Sequence, residues 1–224
     1  MSDRGGTIGA PAGTLIDNLR MLNRKERFYL IGQALGKPTF QLSPEFRSVL
    51  GREFSVSVPE DAFVAMDYHL NWLYAALKLT YQPQTNHRYL NSDSAVEGNQ
   101  EDIDLLVAWE ESYATHIVMI EAKGATYFGN KQMESKAKRL EKVFASDGSR
   151  WTGVQPHFIL MSPRKPSGRY LRTSAIPRWM LQDDGAFRWA ELPNMDRTRL
   201  RAVMRCDEDG HPSAAGVFWT LAKG

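Results

Sequence analysis

Apolar residues recur along the chain with two different periods. Ile117-Val118-Met119-Ile120 is a continuous run, closed by Glu121-Ala122-Lys123-Gly124. That is the pattern of a strand buried on both faces. Leu105-Leu106-Val107-Ala108-Trp109 forms a second such run, with Asp104 inside its start. The short polar connection from Glu110 to His116 predicts an antiparallel hairpin between the two. Gln155 to Met161 reads as a further strand, closed by Ser162-Pro163.

Other stretches carry the helical period. Thr14 can cap a helix bearing Leu15, Leu19 and Leu22. Asn23, with Glu26 three residues on, reads as the capping box of a second helix, striped by Phe28, Ile31 and Leu35. Ser43-Pro44 opens a short helix with Phe46, Val49 and Leu50, stopped by Gly51. From Pro59, the spacing of Phe63, Met66, Leu70, Leu73 and Leu77 predicts one long helix. A first sheet strand is then expected within residues 80–99, with Arg88-Tyr89-Leu90 as its candidate. Asn130 reads as the cap of a helix whose buried row is Met133, Ala137, Leu140 and Phe144. Asp184-Gly185, between Trp179-Met180-Leu181-Gln182 and Phe187-Arg188-Trp189, is a hairpin signal. Alternating residues around Asp209-Gly210 lead to a last strand at Val217-Phe218-Trp219.

These elements predict an α/β fold. Residues 1–13 read as a disordered tail and 14–224 as a single domain. Within it, 14–51 form a helical layer that serves as a lid, a dimer surface or core cover. Residues 52–162 form the core, and 163–224 a β-rich extension. Composition narrows the setting. The formal net charge is only +2, so any basic surface must be local. One cysteine, Cys206, leaves no intrachain disulfide and fits a reducing compartment. No apolar run approaches the ~20 residues of a membrane span. No secretory leader pattern opens the chain, and a cytoplasmic location without a membrane partner is expected.

The charged residues at the strand ends carry the chemistry. Side chains alternate along a strand, so Glu121 and Lys123 share a face. The hairpin can bring Asp104 close to Glu121. Two carboxylates and a lysine at a sheet edge suit a hard divalent cation and an activated water. The five histidines show no metal-ligand spacing, and Gly32 to Thr39 fails as a phosphate loop.

Asp104, followed by Glu121-Ala122-Lys123 after a hydrophobic strand, resembles the core motif of the PD-(D/E)XK nuclease superfamily. The resemblance covers residues 60–162, about half the chain, and departs where Ile103 stands in place of the family's proline. Glu134-Ser135-Lys136 repeats the E-x-K spacing, but inside a predicted helix. The resemblance implies a restriction-endonuclease-like three-layer core: a central mixed β-sheet flanked by helices, with the N-terminal helical layer and a C-terminal β-hairpin added. It implies Mg²⁺ or Mn²⁺ held by Asp104, Glu121 and the Ala122 carbonyl, with Asp67, or less strongly Glu60, as a further acid. Lys123 and Gln132 would join Asp104 and Glu121 in catalysis. Lys131, Lys136 and Arg139 are the expected phosphate-backbone contacts. The implied activity is metal-dependent hydrolysis of DNA, with RNA left open and a homodimer possible. The alternative is a catalytically silent nucleic-acid- or protein-binding domain of the same fold.

Overall fold

The computed structural model describes residues 13–37, 40–85, 88–99, 101–124, 126–167, 171–192 and 201–223 of the chain. The expected tail, apart from Gly13, lies outside the described residues, as does His87, one of the five histidines.

Five strands form one mixed sheet: β1 (Phe63–His69), β2 (Asp102–Glu111), β3 (Ala114–Ala122), β4 (Val154–Ser162) and β5 (Trp189–Glu191). They lie side by side in chain order. β2 runs antiparallel to both of its neighbours, β1 and β3, whereas β3, β4 and β5 run parallel. The helices are α1 (Leu15–Leu22), α2 (Glu26–Ala34), α3 (Pro44–Phe54), α4 (Leu70–Tyr81) and α5 (Asn130–Phe144). The last two strands, β6 (Arg201–Cys206) and β7 (Phe218–Lys223), pair with each other in a separate two-stranded sheet.

Alternation along β2 and β3 divides the core in two. Leu106, Ala108, Ile117 and Met119 pack with Leu19 of α1, Leu73 of α4 and Leu140 of α5. Val107, Val118 and Ile120 pack with Leu50 of α3 on the other face. The fold is therefore α/β, with helices flanking both faces of the sheet. The β2–β3 hairpin closes through Ser112, whose φ of 56° is left-handed, as a tight turn requires. Parallel β3 and β4 need a crossover, and α5 supplies it. No helix among the described residues is long and apolar enough to cross a membrane.

Several local expectations are corrected. The long helix from Pro59 is instead β1 followed by α4. Phe63 and Met66 fit a helical row, but Phe63-Val64-Ala65 is buried on both sides and pairs with Leu106-Val107-Ala108. Sheet pairing overrides the local period there. β1 takes the place of the strand expected in residues 80–99, and the described residues there form no strand beyond α4. Asn23 ends α1 rather than starting α2, whose cap is Lys25. Thr14 does cap α1, in a reciprocal box with Asp17. Gly51 lies inside α3, which runs on to Phe54 and stops at left-handed Ser55. Gly129, not Asn130, caps α5. The Asp184-Gly185 turn closes a single bridge, Leu181 to Phe187, while Trp189 leads into the central sheet.

Candidate functional site

β2 and β3 carry Asp104 and Glu121 to one place. The pairs Leu106–Met119 and Leu105–Ile120, continued by one step, set Asp104 opposite Glu121. The ladder ends there, and Asp104 Oδ2 accepts the Ala122 amide hydrogen at 2.7 Å. The carboxylate thus fills the place of a strand carbonyl where the two strands part. Asp104 Oδ1 takes no hydrogen bond among the described residues.

Glu121 faces the α4–α5 side with Ile117 and Met119 and is 1% exposed. Burying a carboxylate is costly unless the charge is paired and hydrogen-bonded. Three donors meet that demand. Lys123 Nζ lies 3.2 Å from Oε1 and Gln132 Nε2 lies 2.9 Å from it, while Lys136 Nζ donates to Oε2. Lys136 is 3% exposed and also donates to the Asp102 carbonyl at 2.5 Å. Gln132 and Lys136 are four residues apart on α5, so they lie on one face of the helix. Both point toward the sheet end.

The structure thus brings together Asp104, Glu121, Lys123 and Gln132. It places the other candidates differently. Asp67 lies on β1, not on a helix. Met66 pairs with Leu105 and Tyr68 with Ile103, which sets Asp67 opposite Asp104. Its φ of 49° is left-handed, a conformation that a non-glycine residue adopts only against strain. Because of that twist, Ala65 and Tyr68 join the same core cluster despite the strand's alternation. Arg27 Nη1 stands 2.8 Å from Asp67 Oδ2, at ion-pair distance but without hydrogen-bond angles. Glu60 stays exposed near Arg47, before β1 begins.

Of the expected phosphate contacts, Lys131 is exposed. Lys136 and Arg139 turn inward. Arg139 is 4% exposed and is held by Glu97 at 3.1 Å and by Asn71 Oδ1 at 2.7 Å. These buried partners leave neither cation facing solvent, where a nucleic-acid backbone would lie.

Three features escaped sequence reading. Lys136 belongs to the Glu121 cluster, a role that its i,i+4 spacing from Gln132 signals. Asp102 binds His69 Nδ1 and lies 2.9 Å from Lys25 Nζ, a junction of three distant segments with no sequence signature. Glu101 is half-buried, and burial pushes its carboxyl up. Lys136 and Arg139 pull it back, while Glu121 and Glu97 add to the rise.

The oxygen donors of Asp104, Glu121 and the Ala122 backbone have the hardness that magnesium or manganese prefers. The carboxylate oxygens of Asp67, Asp104 and Glu121 do not all lie within 4.8 Å of one another. Among the described residues the only group that meets that criterion is exposed Asp207, Asp209 and His211, in the β6–β7 connection. Asp207 Oδ1 there accepts the amides of Asp209 and His211, which accounts for it as a turn. No family model matches the chain, and neither a curated protein nor a solved structure matches it.

Proposed function

We propose that this protein is a metal-dependent nuclease of the restriction-endonuclease-like kind, hydrolysing phosphodiester bonds of DNA. The convergence of Asp104, Glu121, Lys123 and Gln132 where β2 and β3 part is the observation that carries this reading. When bound to Asp104, Glu121 and the Ala122 carbonyl, Mg²⁺ or Mn²⁺ would polarise a phosphoryl oxygen and acidify a water. Lys123, beside an ionised carboxylate, serves as a cation that orients the attacking water or neutralises developing phosphate charge. Lys136 holds Glu121 in place from behind. Gln132 keeps one donor on Glu121 and has a second for water or phosphate. Duplex cleavage by a chain with one such site would pair two copies.

Purified protein is expected to cut DNA with Mg²⁺ or Mn²⁺ and to stop in chelator. Lys123→Ala is expected to lower the rate by about 10³-fold while far-UV circular dichroism stays unchanged. Undiminished cleavage by that variant would remove the role given to Lys123. Assays on linear, circular and single-stranded substrates would separate endonuclease from exonuclease action.

One observation favours a second reading, a silent binding domain of the same fold. Both Glu121 oxygens already have cationic or amide donors, and the side chain is almost wholly buried. Calorimetric titration with Mn²⁺ distinguishes the two. Heat of binding that vanishes in Asp104→Asn supports the nuclease; no heat with wild type supports the silent domain.

A further inference from the structure

A cavity of about 570 Å³ opens immediately beyond the candidate site. It begins at Gly124, the residue after Lys123, and its other wall is the chain leaving β4 from Ser162 to Ser167. It therefore lies outside the carboxyl ends of two parallel strands, the usual place for a ligand in an open α/β sheet. Its size is within the roughly 300–1,000 Å³ of small-ligand pockets. The ladder extends to its lip, where the Lys123 amide donates to the Met161 carbonyl at 2.9 Å.

The lining combines flat apolar surface with exposed positive charge. Tyr127 is 80% exposed and stands beside buried Phe128, facing a wall that includes Pro163 and Pro166. Arg164 and Lys165 are exposed on the same wall, and among the described residues neither has a carboxylate partner. The framework beneath is fixed. Ser162 Oγ donates to the Arg164 carbonyl at 2.8 Å and accepts from Trp189 Nε1 at 3.0 Å. Asn130 Oδ1, in the first turn of α5, accepts the Arg172 amide hydrogen at 2.7 Å. Phe128 leads directly into α5, whose N-terminus lacks a side-chain cap and has no acid in its first turn. Such an end favours phosphate.

An exposed aromatic ring and two exposed cations at a cavity mouth match an unpaired nucleotide, with its base on the ring and its phosphate on the cations. A stacked base pair has no free face to offer such a ring. We infer that this cavity holds an unpaired nucleotide next to the scissile phosphate, so that the enzyme prefers single-stranded or frayed DNA to intact duplex. The choice of substrate class rests on the nuclease reading above.

The test is fluorescence anisotropy of a labelled short oligothymidylate on the full chain, in chelator so that nothing is cut. Wild type should bind it more tightly than a blunt duplex of equal length. Tyr127→Ala should weaken oligothymidylate binding by about tenfold, in line with the loss of one base stack, and leave duplex binding unchanged. The Arg164→Ala/Lys165→Ala variant should show a shallower salt dependence, by about 0.7 for each phosphate that is no longer neutralised. Thymidine monophosphate should compete only at far higher concentration; competition at parity would mean a free-nucleotide site and overturn the strand preference. Equal affinity of wild type and Tyr127→Ala, or duplex bound as tightly as single strand, would also overturn the inference. Duplex cleavage with an inert Tyr127→Ala would refute only the cavity assignment. Tyr127-dependent binding without any metal-dependent cleavage would refute only the nuclease.

Discussion

Of the three polar residues that β3 buries, Thr115, His116 and Glu121, the last two lie five positions apart on opposite faces of the sheet and are accommodated in opposite ways. Glu121, near its carboxyl end, is charged and surrounded by Lys123, Lys136 and Gln132. His116, near its amino end, lies in an aromatic stack. Its ring is 5.0 Å from Trp109 and 5.3 Å from His157, nearly parallel to both. His116 Nδ1 and His157 Nε2 share a hydrogen at 3.0 Å, and the Phe54 ring packs on His157 and also carries the Arg188 guanidinium, 5.4 Å from its centroid. Burial, with His116 and Arg188 adding to it, pushes the His157 ring down to about 3. Burial lowers His116 too, against the opposing pull of Glu111. One region keeps a buried charge by supplying partners; the other gives the charge up. The first keeps ionic groups at a sheet end, where a hard cation or a phosphate could meet them. The second is packing.

The strongest way to break this comparison is to strip one partner from the charged region. Lys136→Met should destabilise the protein by about 3–5 kcal/mol in urea unfolding, because Glu121 is left less well paired. Adding Glu121→Leu should recover most of that loss, since an apolar pair suits the same space and Lys123 can turn to solvent. A single variant as stable as wild type would mean that Lys136 is not needed to hold the carboxylate.

The neutral region should respond to pH instead. His157 takes up its proton near pH 6.5 when unfolded but only near 3 when folded, so the unfolded chain binds the extra proton between those values. Its contribution is fully present above pH 6.5 and falls as pH drops toward 3. Between pH 7 and 5 the cost is about 2 kcal/mol. His157→Phe should flatten that slope in urea midpoints measured across the range. An unchanged slope would place the sensitivity elsewhere.

A change outside both regions sets the scale. Thr14→Ala removes the α1 capping box and should cost about 1 kcal/mol, with no dependence on either cluster. Urea unfolding reads it directly, and a loss as large as that of Lys136→Met would erase the distinction between a buried charge and an ordinary helix end.

Sequence made the charged region legible to the extent that its information is local. Continuous apolar runs identified β2, β3 and β4, and alternation put Glu121 and Lys123 on one face. A short connection made the hairpin that sets Asp104 opposite Glu121. β1 was illegible because Phe63, Met66 and Leu70 satisfy a helical spacing, and only the partner strand reveals the error. Lys136 looked like surface charge because a basic helix shows its faces only once the sheet beneath it is known. The histidine stack joins residues 54, 109, 116, 157 and 188. That assembly is a product of tertiary packing alone.

Asp67 occupies backbone that glycine adopts more readily, by roughly 1 kcal/mol or more. Replacement by glycine is therefore the downhill direction for a chain judged on endurance alone. Relatives that carry glycine there would mark lineages able to dispense with the carboxylate. Lineages holding aspartate would be those in which an acid across from Asp104 outweighs a sturdier strand.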